Sequence, residues 1–275
     1  MNLSGVVLTK NEEKNIEACL KSLSFCDEIV VIDDFSEDKT IEICQKSRPK
    51  ADRPLDEKVK LRIYKRKLNG DFAAQRNYGL NKARGKWILF IDADERVTEA
   101  LASEISNIST RGGPASGWKY QVSTNFSGFY FRRIDFMWGK ALKHGETASV
   151  RFLRLVKKGS GVWRRKVHEV WDINGETHEL ANPIYHYSHP TLRAFLAKIN
   201  KFSTLHAIAN KEEGKNSSIL KIVIWPIGHF VYNFIFRLGF FDGIPGFAVA
   251  VVMSFNSFLA WSKLWFYQKG LQERI

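Results

Sequence analysis

Acidic residues at the ends of apolar runs are where this sequence could do chemistry. Asp92-Ala93-Asp94-Glu95 places three acids in four residues after the run 87–91, and Asp33-Asp34 ends a second run, 28–32. Alternating carboxylates at a strand end bracket the same space, so Asp92 and Asp94 can share one hard divalent cation. A competing reading makes the cluster a solvated acidic turn that caps the next helix, which Glu95 and Thr98 would suit. A polar group, Thr9, Asn11 and Glu12, follows a third apolar run at 4–8.

The runs are too short and too uniformly apolar for helices, and read as strands buried on both faces. Between them the spacing turns helical. Ile16, Cys19, Leu20 and Leu23 share one face, with Asn11 as N-cap, and a second helix starts at Ser36 or Asp38 and runs through Ile41 and Cys44. A strand is expected over 59–64 and a helix over 71–83 ended by Gly85, with a polar surface loop at 46–58. Strand and helix alternate, which implies βαβ units and a mostly parallel sheet with right-handed crossovers. Ligands bind at the carboxyl edge of such sheets. Three of the four strand ends are polar, so residues more than eighty apart converge there. Neither G-x-G-x-x-G nor G-x-x-x-x-G-K-[ST] occurs, so the usual glycine cradle for phosphate is missing. A carboxylate-held metal would be the other way to neutralise a diphosphate.

Length and composition fit a large domain with an extension, 275 residues with 44% hydrophobic and 26% charged. The net charge of +13 points to an anionic partner. Three cysteines without a CxxC pair indicate neither a disulfide framework nor a zinc site, and fit a reducing cytoplasm. The N-terminal run lacks a basic lead and reads as the first strand, not as a signal peptide.

The ordered set VVLTKNEEKNIEACLKSL, EIVVIDDFSEDKT and AAQRNYGLNKARGKWILFIDADE resembles the nucleotide-sugar domain of family 2 glycosyltransferases, closely over about residues 3–100. Over the whole chain, with KVHEVW, IYHYSHP and an apolar tail, it is similar to bacterial glucosyl- or heptosyltransferases of the lipopolysaccharide inner core. That resemblance implies a GT-A (Rossmann-like) α/β fold, a UDP-sugar donor and a divalent metal, Mn²⁺ or Mg²⁺. It places Thr9, Asn11 and Glu12 at the base and ribose pocket, and Asp34 on the uracil. Arg76 falls near the donor, Asp92 on the ribose and Asp94 on the metal. It implies Glu169 as the general base of an inverting transfer, with Glu146 in reserve, and His186 over His189 as a further metal ligand. Competing readings are N-capping for Asp33 and Asp34, surface exposure for Arg76, ion pairing with the Arg164–Lys166 cluster for Glu169, and a packed polar residue for His186.

The middle of the chain breaks at 111–114, with strands expected at 117–123 and 151–156. Residues 132–166 hold eleven Lys and Arg against two Asp and Glu, suited to a phosphorylated lipopolysaccharide-core acceptor or an anionic membrane face. Aromatic residues are not spaced through this cluster as a base-stacking platform requires, so nucleic acid is not the expected partner. A helix follows over 191–210. Two apolar segments, 219–241 and 244–262, are interrupted by polar residues, and Trp225, Trp261, Trp265 and Tyr267 in and after them resemble an interfacial belt. They are expected to lie on or partly in the inner leaflet or to pack in a homo-oligomer, with a buried helical core as the alternative.

The sequence therefore predicts a GT-A domain over 1–190, with a donor half at 1–110 and an acceptor half at 111–190. An apolar helical region is expected over 191–275. The expected activity is an inverting, metal-dependent transfer from a nucleotide-sugar to a glycolipid acceptor, peripheral on the cytoplasmic face of the membrane. The alternatives are a polyprenyl-phosphate glycosyltransferase, and a non-catalytic basic protein on the same fold.

Overall fold

The computed structural model describes residues 2–47, 59–111, 126–148, 150–165, 169–188 and 191–271. The strand expected at 117–123, the break at 112–114, most of the loop at 46–58, His168 and His189 lie outside them. The chain divides into two compact units, residues 1–133 with 151–187, and residues 134–150 with 188–275. The excursion 134–150, which the sequence reading kept in the acceptor half, belongs to the helical unit.

In the first unit, β1 (Leu3–Thr9), β2 (Glu28–Asp33), β3 (Lys60–Lys65) and β4 (Trp87–Asp92) are parallel, in the order β3-β2-β1-β4. Leu8 pairs with both Ile32 and Asp92, and Thr9 with Asp33, so the polar strand ends share one edge. Beyond β4 the sheet turns antiparallel, through β8 (Arg151–Lys157) to β6 (Phe126–Met137). Uniformly apolar strands need cover on both faces. Helices α1 (Ile16–Ser22), α2 (Thr40–Lys46) and α4 (Glu99–Arg111) carry Leu20, Cys44, Leu101 and Ile105, buried in the core cluster of one face. Helix α3 (Phe72–Lys82) carries Leu80 into the other, with Phe90, Trp163 and Trp171.

Two helix boundaries differ from the reading of the sequence. Asn11 does not cap α1. Its backbone is left-handed, its Oδ1 accepts from Glu37 N at 2.8 Å, and its N–H donates to Ser36 Oγ at 2.9 Å. The side chain is spent across to the neighbouring turn, and the helix begins at Ile16. Gly85 is not the C-cap of α3, which ends at Ala83 in an extended conformation. Gly85 is required instead by close approach, because a Cβ there would lie 2.6 Å from Ser4 Oγ.

In the second unit, β6 runs on to pair with β7 (Lys140–Leu142). Three helices follow: α5 (Leu192–Glu212), α6 (Ile219–Val231) and α7 (Gly243–Gln268). Phe195, Ile199, Val249 and Val252 pack with Met137 and Leu142 into this unit's own small core.

Candidate active site

The site grows from the end of β4. Asp92 is the last strand residue, and the chain reverses at once into the short strand β5 (Glu95–Val97). Glu95 is buried, not solvated: its Oε2 accepts from Asp92 N at 2.9 Å and fixes the turn. Thr98 does cap α4, its Oγ1 accepting from Leu101 N at 3.1 Å. The turn therefore divides its roles, Glu95 fixing it from inside and Thr98, not a carboxylate, capping the helix.

β5 pairs antiparallel with β11 (Ile184–His186), His186 opposite Glu95. Tyr187 N donates to Asp94 O at 2.8 Å, and His186 Nε2 lies 3.2 Å from Asp94 Oδ2. The two residues named as metal ligands, 92 positions apart, thus meet. Two ligands about 2.1 Å from one ion and at right angles to each other are about 3.0 Å apart, so this donor pair fits a small divalent cation. Among the described residues no cluster of three or more His, Cys, Asp or Glu side chains forms a complete cage.

Arg76 is buried within α3. Its Nη2 donates to Asp92 Oδ1 at 3.0 Å and its Nε to Glu169 Oε1 at 2.8 Å, while its guanidinium carbon lies 5.0 Å from the centre of the Trp163 ring. The exposed-helix alternative for Arg76 is thereby removed. Glu169 reaches Arg76 because it immediately precedes β10 (Val170–Ile173), which pairs with β9 (Gly161–Arg164) in a hairpin. Asn77 binds that hairpin to α3: its Nδ2 donates to Trp163 O at 2.8 Å, and its Oδ1 accepts from Trp163 N at 2.9 Å. Arg164 pairs with Asp172 at 2.6 Å, not with Glu169.

The residue that sequence reasoning missed is Arg154. Counted there only within the basic cluster 132–166, it is 4% exposed, and its Nη2 donates to Asp92 Oδ2 at 2.8 Å and to Glu95 Oε1 at 3.4 Å. An arginine set between Leu153 and Leu155 in the interior of β8 was the available signal, since a buried charge requires a partner. Burial would raise the Asp92 carboxyl, but the Arg154 and Arg76 guanidiniums override it and hold it well below the usual carboxylate range. Burial raises Glu95 against the pull of Arg154. Burial opposes the charge on Arg154 too, yet Asp92 and Glu95 hold its pKa above the ordinary value. Nη1 of Arg76 and Nη1 of Arg154 are both buried without a hydrogen-bond partner. Two cationic donors left over beside one carboxylate are an arrangement for an anion.

The other expected residues sit along the same edge. Asp34 Oδ1 accepts from Leu68 N at 2.9 Å and Oδ2 pairs with Lys10 Nζ at 2.9 Å, so it is held between two loops and does not cap α2. That helix is led by Asp38, whose Oδ1 accepts from Thr40 N at 2.9 Å. Thr9 Oγ1 is buried with no hydrogen-bond partner. Asn11 and Glu12 tie the loop after β1 to the loop after β2, Glu12 N donating to Thr40 Oγ1 at 2.8 Å. Glu146 lies in the other unit, 3.5 Å from His229, its pKa raised by burial against the pull of His229 and Arg237.

A sheet of this order, with an acidic turn at the end of β4 facing paired arginines, defines a GT-A-type glycosyltransferase. The family model for Glycosyl transferase family 2 matches residues 4–166, and the chain belongs to that family. It is 27% identical to the lipopolysaccharide core biosynthesis glycosyltransferase LpsC of Rhizobium meliloti, over 96% of this chain and 92% of that one. An uncharacterized glycosyltransferase of Rickettsia bellii is 26% identical over 95% and 85%. The structure of S. aureus TarS 1–349 in complex with UDP-GlcNAc aligns over 100% of this chain and 93% of that one, with TM-score 0.47 and 15% identity.

Proposed function

We propose that this glycosyltransferase moves a sugar, with inversion, from a UDP-sugar to a lipopolysaccharide-core glycolipid at the cytoplasmic face of the membrane. The observation that carries the reading is the meeting of Arg76, Asp92, Arg154 and Glu169 beside the Asp94–His186 pair. Asp34 and Thr9 would take the base and Asp92 the ribose, with Asn11 and Glu12 shaping the pocket wall. The unpaired Nη1 groups of Arg76 and Arg154 would donate to the diphosphate, on which negative charge grows as the glycosidic bond breaks. Asp94 and His186 would hold Mn²⁺ or Mg²⁺, which supplies Lewis-acid stabilisation of the leaving diphosphate without proton transfer. Single displacement at the anomeric carbon needs one base on the acceptor side. Glu169 Oε1 is held by Arg76, which leaves Oε2 to take the acceptor hydroxyl proton.

Similarity to LpsC along nearly the whole chain supports a lipopolysaccharide-core acceptor over a polyprenyl phosphate, and the excess of Lys and Arg suits the phosphates of such a core. The exposed apolar helices of the second unit support a position on the membrane surface. The test is incubation of the purified chain with radiolabelled UDP-sugars, Mn²⁺ and extracted core glycolipid. Label entering the lipid fraction supports the proposal, and hydrolysis or retention of every donor without transfer contradicts it.

A further inference from the structure

Helix α6 and the five residues after it form an 18-residue apolar stretch, and the 30 residues 239–268 contain another 18-residue window as apolar, with mean hydropathy 1.6 in each window. By length either would cross a bilayer. Their attachments prevent it. The turn joining them is bound to the excursion 134–150: Gly145 N donates to Arg237 O at 2.9 Å, and His144 N to Asp242 Oδ2 at 2.8 Å. Arg151, a strand residue of the main sheet, lies six positions after Gly145, and six Cα-to-Cα steps reach at most about 22 Å. The hydrocarbon layer is about 30 Å thick. That turn cannot reach the far side of a membrane while the sheet stays in water.

The opposite end is also tied. Lys263 Nζ donates to Asn200 Oδ1 at 2.9 Å, Ser203 Oγ at 2.8 Å and Thr204 Oγ1 at 2.8 Å, all on α5. α5 carries Arg193, Lys198, Lys201 and Lys211, so it stays in the aqueous phase. Between these ties the apolar surface is open. None of the thirteen residues of α6 is buried. Ile244, Phe247, Val251 and Phe255 form an exposed stripe on α7 at helical spacing, and Gly243–Ser262 contains no charged residue. Trp225 is 52% exposed, and Lys221 Nζ lies 5.0 Å from the centre of the Trp261 ring. Residues 188–275 hold ten Lys and Arg against four Asp and Glu. An apolar face with aromatic and basic edges suits the acyl–headgroup boundary of an anionic bilayer.

We propose that the α6–α7 hairpin is a monotopic anchor, lying along the membrane with its apolar face in a single leaflet of anionic phospholipid and spanning nothing. This deepens the proposed membrane-face location, and its test needs no donor or turnover. The full chain is added to sealed vesicles of phosphatidylcholine with and without phosphatidylglycerol. Cosedimentation should rise at least tenfold with the anionic lipid. It should fall at least tenfold in Ile224→Asp/Phe247→Asp/Phe255→Asp, all at exposed positions, with an unchanged circular dichroism spectrum. Separately, a Lys143→Cys variant expressed in cells should react with an impermeant maleimide in inverted membrane vesicles but not in intact spheroplasts. Labelling in spheroplasts would establish a spanning hairpin and overturn the proposal. So would a wild-type chain that stays in the supernatant as a discrete dimer, since a second copy would then cover the face. Vesicle binding without any UDP binding would sink the glycosyl-transfer reading and leave the anchor standing.

Discussion

Replacing Arg154 by methionine keeps most of the side-chain volume and removes the charge that the site is built around. Arg154 is 4% exposed and serves two acids, Asp92 at 2.8 Å and Glu95 at 3.4 Å. Removing one partner of a buried ion pair costs about 3–5 kcal/mol, because the remaining charge is stranded. Asp92 keeps Arg76 at 3.0 Å, and a third of its side chain meets solvent, so water offsets part of its loss. Glu95, with 1% side-chain exposure, loses the guanidinium that contacts it. The lower end of the range applies, about 3 kcal/mol. With a urea slope of about 3 kcal/mol/M, the unfolding midpoint should fall by about 1 M. Adding Glu95→Gln to Arg154→Met should recover at least about 1 kcal/mol, since a neutral amide strands no charge. Equilibrium urea unfolding followed by tryptophan fluorescence measures both, and UDP titration of the single variant should show more than a tenfold loss of affinity. A single variant within about 0.5 kcal/mol of wild type would refute the buried-pair argument.

Three further outcomes follow from the geometry. Glu169→Gln can still accept from Arg76 Nε but cannot take a proton, so turnover should fall by about 10²-fold or more while UDP affinity changes less than threefold; equal losses in both would assign Glu169 to donor binding. Gly79→Ala places a Cβ 2.5 Å from Val6 Cγ1, where α3 meets β1. Overpacking of about 1–3 kcal/mol should exceed the helix-propensity gain of about 1 kcal/mol and lower Tm, and a raised Tm would contradict that contact. Glu28 is buried against Ser4, Arg84 N and Arg62; burial alone would raise its pKa, but these hydrogen bonds and the Arg62 charge lower it. Its contribution is therefore present above about pH 4.3 and lost as pH falls below it, so Glu28→Gln should flatten the acid limb of the stability–pH curve; an unchanged limb would place the acid sensitivity elsewhere.

The donor half was legible because its strands announce themselves: short apolar runs, each closed by acids or amides, with helical spacing between them. The register that aligns Leu8 with Ile32 and Asp92 follows from that pattern. What the sequence could not carry was distance in three dimensions. Arg154 looks like its neighbours in a basic stretch until the strand that holds it is laid between β4 and β6. Asn77 is one polar residue of a helix until Trp163, 86 positions later, meets both ends of its amide. Asn11 has the type of a helix cap, but its turn belongs to a loop-to-loop contact that local spacing does not encode. The apolar tail was read as two segments too interrupted for confident membrane spans, and the structure gathers them into helices of 18 and 30 residues. The polar residues that interrupt it, His229 and Arg237, prove to face the excursion at Glu146, which no periodicity predicts.

The central claim is that Asp94 and His186 complete a metal-assisted UDP site whose anion contacts come from Arg76 and Arg154. Calorimetric titration of UDP into the wild-type chain and into Asp94→Ala, each with Mn²⁺ and with EDTA, tests it most directly. Wild type should bind with Mn²⁺ and lose at least tenfold in affinity with EDTA, while Asp94→Ala stays folded and binds equally weakly in both. Equal wild-type affinity with Mn²⁺ and EDTA, or metal-dependent binding that survives in Asp94→Ala, would contradict the account.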